Sequence, residues 1–102
     1  MNFQRTIQNA VTLKGIGLHL GKEASVTLKP AAMNQGILFQ RIDLPNSLPI
    51  EANYRNVVST QMATTLGKDG VTVSTIEHLM AALHGFGIDN LLVEVQGPEV
   101  PI

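Results

Sequence analysis

The sequence predicts an α+β fold, a two-layer sandwich in which a sheet carries a helix. Three observations predict it. Several short stretches alternate apolar and polar residues with a period of two, and one stretch repeats its apolar residues with the helical period. A length of 102 residues at 44% hydrophobic then allows one core and not two, so residues 1–102 are expected to form one domain.

The elements follow in chain order. An opening strand is expected around Gln4 to Val11. "EASVTLKP" sets Ala24, Val26 and Leu28 against Ser25, Thr27 and Lys29, a half-buried strand that Pro30 ends. "GILFQRI" repeats the pattern with Ile37 and Phe39 on one face, and "PIEANYR" sets Ile50, Ala52 and Tyr54 opposite Glu51, Asn53 and Arg55; both read as antiparallel strands. "ATTLGKDGVTV" reads as a hairpin turning at Asp69-Gly70, and "NLLVEVQ" as a strand with Leu91, Val93 and Val95 on one side. The expected total is about five or six strands around one helix.

That helix lies in "VSTIEHLMAALHGFG", residues 73–87. Ser74 is the expected N-cap with Glu77 as its capping-box partner, and Gly85 and Gly87 supply the stop. Ile76, Leu79, Met80 and Leu83 fall on one stripe, which should lie on the sheet. His78, Ala81, Ala82 and Gly85 fall on the other side, where a solvated helix would carry Lys, Glu or Arg. This small, nearly uncharged face predicts a second packed body against Ala81 and Gly85. One helix of this length also covers few strands, which suggests a truncated domain.

Composition narrows the function. Seven Lys plus Arg against eight Asp plus Glu give a net charge of −1 without a basic run, so nucleic acid is not an expected partner. The absence of cysteine removes disulfides, thiolate metal sites and a cysteine nucleophile, leaving His, Asp and Glu as metal donors. No stretch approaches a membrane span, and "MNFQRTIQNAV" has no signal-peptide h-region, so a soluble cytoplasmic protein is expected.

The chemistry gathers at Glu77 and His78. A helix N-terminus favours a carboxylate and disfavours an imidazolium, giving a base beside a neutral metal-binding imidazole. Against this, Glu77 already has a capping role, a lone helical His is more often structural, and His19, His78 and His84 form no HxxxH pair. Periodicity alone favours the structural reading. His84, in the last turn, complements the helix dipole. "KGIGLHLGK", residues 14–22, interleaves glycines around His19. Its Gly15-x-Gly17 spacing lacks the third glycine and the helix of a dinucleotide loop. A loop needing positive φ and a loop bringing His19 to a polar substrate stand about even.

Taken together, "QRTI" at 4–7, "GIGLHLGK" at 15–22, "STIEHLMAAL" at 74–83, "GIDN" at 87–90 and "PEVPI" at 98–102 resemble the N-terminal part of UDP-3-O-acyl-N-acetylglucosamine deacetylase. That family comprises the zinc amidases of lipid A biosynthesis, and hence of lipopolysaccharide, in Gram-negative bacteria. The resemblance runs in order along the whole chain. It implies a ribosomal protein S5 domain 2-like fold, the first of two similar domains, here lacking its last helix. It implies that His78 is a zinc ligand, that Glu77 is the general base for zinc-bound water, and that His19 lies in the substrate cleft. The reaction implied is hydrolysis of the 2-acetamido group to amine and acetate, the committed step of the pathway. The family's other zinc ligands, a His and an Asp, and a proton-donating His belong to the second domain, so this chain alone is expected to be inactive. Two alternatives remain: a non-enzymatic binding or regulatory module with the same fold, and the front of a fused deacetylase/dehydratase.

Overall fold

The chain was analysed as a computed structural model that describes residues 3–101. Its strands are β1 (Val11–Ile16), β2 (Glu23–Pro30), β3 (Ile37–Arg41), β4 (Ile50–Glu51), β5 (Val57–Ser59), β6 (Thr65–Lys68), β7 (Val71–Ser74) and β8 (Leu91–Gln96). One helix, α1 (Glu77–Gly85), precedes β8. The expected α+β architecture is present, with a mixed five-stranded sheet of order β1-β2-β8-β3-β4 and a separate three-stranded sheet of order β5-β6-β7.

The larger sheet sorts its residues by the period of two. Val26 stands opposite Val95, Leu28 opposite Val93, and Phe39 opposite both Val93 and Ile50. Phe39, Leu91, Val93 and Val95 are fully buried on that face. The other face is polar. There the Thr12 and Thr27 hydroxyls lie 2.9 Å apart, and Lys29 Nζ pairs with Glu94 Oε1 at 3.0 Å, diagonally across β2 and β8. One face is therefore core and one meets water.

The smaller sheet contributes Leu66 and Val73, register partners that are both buried in the same core. A buried guanidinium ties the two sheets together. Arg41, in β3, donates to both Asp43 carboxylate oxygens at 2.8 and 2.7 Å and to the Thr72 carbonyl of β7 at 3.0 Å. The fork satisfies the charge that burial would otherwise penalise.

Five expectations need correction. The strand around Gln4 to Val11 begins only at Val11. The segment before it docks by polar contacts instead, with Arg5 N donating to Asp89 Oδ2 and Arg5 O accepting from the Asp89 and Asn90 amides. In "PIEANYR" only Ile50 and Glu51 pair. Asn53 Oδ1 accepts from Arg55 N at 3.0 Å and turns the chain into a 3₁₀ turn at Tyr54–Asn56, leaving Tyr54 80% exposed. β3 pairs in parallel with β8, so the sheet is not purely antiparallel. Among the described residues the eight strands exceed the five or six expected; β5, at three residues, is too short to show an alternation.

The fifth concerns the helix start. Ser74 is the last residue of β7 and no cap; its amide donates to Pro98 O at 2.8 Å and its hydroxyl to the same oxygen at 3.3 Å. The N-cap is Ile76, without a side-chain hydrogen bond, so the Ser74–Glu77 capping box does not form. Pairing with the 98–100 segment has taken the serine. The stop is as expected at Gly87, which adopts φ +69° while its amide bonds His84 O and the Ile88 amide bonds Leu83 O, a Schellman closure. Gly85 lies inside α1, as its last residue.

The helix faces match the sequence reading. Ile76 and Leu83 are buried, and Leu79 and Met80 pack against the core. His78, Ala81, Ala82 and Gly85 are exposed, and nothing lies within 4 Å of a Cβ built on Gly85. Among the described residues no helix is long and apolar enough to cross a membrane.

Candidate functional site

The site is built where β7 gives way to α1. Thr75, between them, sits at φ +60°, a conformation that a β-branched residue adopts at a cost of about 1–3 kcal/mol. Its hydroxyl is held by the Glu99 carboxylate at 2.5 Å. That twist turns the chain into the helix, and Glu77 and His78 become its first two residues.

Glu77 is half-buried and anchored. Its Oε2 accepts the Thr64 amide at 2.9 Å, while among the described residues Oε1 accepts nothing. The Thr64 carbonyl in turn accepts the Ile76 amide at 3.4 Å, so the strand leading into β6 clasps the helix start. His78, beside it, is exposed. One carboxylate oxygen is fixed by the fold and the other keeps its hydrogen-bonding capacity among the described residues. His84, also exposed, sits in the last turn as expected, and its carbonyl belongs to the helix closure.

His19 arrives from the other end of the chain. Gly17 N donates to Lys22 O at 2.8 Å, and Gly21, at φ +65°, returns its amide to Gly17 O at 2.9 Å, closing a tight turn between β1 and β2. Glu99 fastens this turn. Its Oε1 accepts Leu20 N at 3.0 Å and its Oε2 accepts His19 N at 3.0 Å. Gly17 is required for the approach, since a Cβ there would stand 2.3 Å from Glu99 Oε1. Of the two readings open for this loop, the one that needs positive φ holds at Gly21, while Gly17 answers to a third demand, the close approach of Glu99.

His19, Ser59, Met62, Thr65, Ser74 and Glu99 line a cleft of about 390 Å³. Its wall includes Ala63 and Thr65, the neighbours of the residue that anchors Glu77. A larger hollow of about 590 Å³ lies over the ends of β1 and β2 and contains no histidine, and its only acid is Glu23. His19 and Glu99 line the smaller cleft, while Glu77 and His78 stand outside its lining, next to the segment that forms its wall. The structure places Glu77 and His78 side by side and brings the His19 loop to the same end of the fold through Glu99 and Thr75.

Glu99 escaped the sequence reading. It is 2% exposed, and a carboxylate between Pro98 and Val100-Pro101, in an otherwise apolar stretch, was the available signal. Burial pushes its carboxyl up, but the hydrogen bonds from Thr75, His19 and Leu20, with the charge of His19, outweigh burial and hold it below the ordinary 4.5. Asp43 is held below its ordinary 3.8, chiefly by the hydrogen bond from Arg41. Groups whose folded-state values are depressed contribute stability that is present above the unfolded values and lost as pH falls through the folded ones. Urea midpoints should therefore decline as pH drops from about 5 to about 2. Glu99→Gln should flatten part of that decline; an unaltered slope in the variant would show that this carboxylate does not carry it.

Among the described residues no group of three His, Asp or Glu side chains could hold a metal ion. A metal centre needs about three protein donors, so His78 fits as one ligand of a site and not as a whole one.

The curated UDP-3-O-acyl-N-acetylglucosamine deacetylases of Geotalea uraniireducens and Myxococcus xanthus are 58% and 57% identical to this chain, over 100% and 97% of it. That of Brucella melitensis is 50% identical over 98% of it. The chain spans about a third of the length of these relatives, 33%, 32% and 35% respectively. The family model described as UDP-3-O-acyl N-acetylglycosamine deacetylase matches residues 4–102. With nearly every residue inside that match, the chain belongs to the UDP-3-O-acyl N-acetylglycosamine deacetylase family.

Proposed function

We propose that this chain is the first domain of a zinc-dependent deacetylase that hydrolyses the 2-acetamido group of UDP-3-O-acyl-N-acetylglucosamine to the amine and acetate, in lipid A biosynthesis. The observation that carries the reading is Glu77: one carboxylate oxygen is pinned by Thr64 N and the other is open, directly beside the exposed imidazole of His78.

Each residue has a task in that reaction. His78 supplies one nitrogen ligand to zinc, which when bound acidifies a water and polarises the acetamide carbonyl. Glu77 takes the proton from the attacking water at its free Oε1, with Oε2 held so that the carboxylate need not reorganise. His19, on a fastened loop at the cleft wall, faces the polar part of the sugar nucleotide. The remaining zinc ligands and the proton donor to the departing amine come from a second domain. The exposed Ala81, Ala82 and Gly85 let that domain's backbone approach α1 closely. The reaction belongs in the cytoplasm, where its nucleotide-sugar substrate is made.

Joining this chain to the C-terminal two thirds of the Geotalea relative gives an enzyme in which the reading can be measured. His78→Ala should abolish stoichiometric zinc while the circular dichroism spectrum stays unchanged. Full zinc content in that variant would remove His78 from the ligand set. The 102-residue chain alone should show no turnover, because one imidazole does not hold zinc against solvent.

A further inference from the structure

The Glu99 carboxylate joins three pieces of chain that lie far apart in sequence. It accepts the His19 and Leu20 amides, receives the Thr75 hydroxyl, and stands against Gly17, where no side chain would fit. Its own segment is docked by the Ser74–Glu99 bridge, with Ser74 N donating to Pro98 O and Val100 N to Ser74 O. A hydrophobic side chain could fill the same space, but it would leave two amide donors and a hydroxyl unmet. The arrangement is thus specific to an acceptor with two oxygens. It is also placed at the site, because the loop it fastens carries His19 and the residue it fastens, Thr75, directly precedes the helix start that carries Glu77 and His78.

We propose that Glu99 is a positioning residue that locks the His19 loop to Thr75 at the start of the catalytic helix, fixing His19 relative to the helix start that carries Glu77. Both Glu99 oxygens are engaged by the His19 and Leu20 amides and the Thr75 hydroxyl, so it acts through that loop and Thr75. The catalytic part of this inference rests on the deacetylase reading, while the lock itself does not.

Two measurements separate them. In the 102-residue chain, amide hydrogen exchange reads the lock directly. Glu99→Ala should speed exchange at His19 and Leu20 about tenfold relative to the Val93 and Val95 amides of β8. Glu99→Gln, which keeps the shape and one acceptor oxygen, should speed it less, and it serves if the alanine variant does not fold. Unchanged relative exchange at His19 and Leu20 overturns the lock.

In the enzyme completed with the Geotalea two thirds, Glu99→Ala should lower kcat/KM about tenfold, with Glu99→Gln recovering part of the loss. In a His19→Ala background the same change should cost less than about twofold, because the residue being positioned is gone. An equal loss in both backgrounds makes Glu99 a stability residue only and overturns the positioning role. If the wild-type completed enzyme lacks deacetylase activity although it binds zinc and folds, the deacetylase reading fails. The exchange result then decides the lock alone.

Discussion

Glu77→Gln is expected to lower turnover of the proposed deacetylase about 10²–10⁴-fold while leaving the fold intact. The amide oxygen of glutamine still accepts the Thr64 N–H, so the contact that fastens the helix start survives, and only the proton-accepting oxygen is lost. Glu77→Ala should lose the same activity and, in addition, about 1 kcal/mol of stability, because Thr64 N is left without its acceptor. That cost comes from Thr64 and not from a helix cap, since no capping box forms. Steady-state rates with thermal melts on both variants check it. Near-wild-type turnover in the glutamine variant would remove Glu77 from the chemistry. An alanine variant as stable as the glutamine one would show the Thr64 contact to be idle.

Phe39→Ala should be the most damaging single change to the fold, at about 3–5 kcal/mol. Phe39 is fully buried where β3 meets both β4 and β8, opposite Ile50 and Val93, and no neighbouring backbone can close a void in the middle of a paired sheet. Against a total stability of about 5–15 kcal/mol, that loss removes between about a fifth and all of it. Urea denaturation reads it as a lowered midpoint with an unchanged slope. A loss below about 1 kcal/mol would mean that the core repacks around the gap.

What the sequence made legible was local. β2 and β8 are readable because Val26 alternates with Ser25 and Thr27 and because Leu91, Val93 and Val95 recur with a period of two, and the β6–β7 turn because Asp69 and Gly70 take φ +53° and +81° as an Asp-Gly hairpin does. The apolar stripe of α1 was readable for the same reason. Partners distant in sequence were hidden. Ser74 has every local credential of a cap, yet Pro98 and Val100 draw it into a pairing that no window around residue 74 contains. The parallel match of β3 to β8 joins residues about fifty positions apart, and nothing in either strand announces it. The site divides the same way. Glu77 and His78 are neighbours and were found together. Glu99 lies some eighty residues from the loop it fastens, and its importance appears only once the chain is folded.

The position of β8 carries a consequence for how the chain is made. Among the described residues it is the last of these strands in sequence and the central strand of the larger sheet, with β1-β2 on one side and β3-β4 on the other. Until residues 91–96 leave the ribosome, β2 and β3 each present an unpaired edge with an apolar face, the kind of surface that invites association between nascent chains. The two halves of the sheet have no direct ladder and cannot join early. Formation of the larger sheet thus waits for residues 91–96, and the chain made before that point is the form most in need of a chaperone.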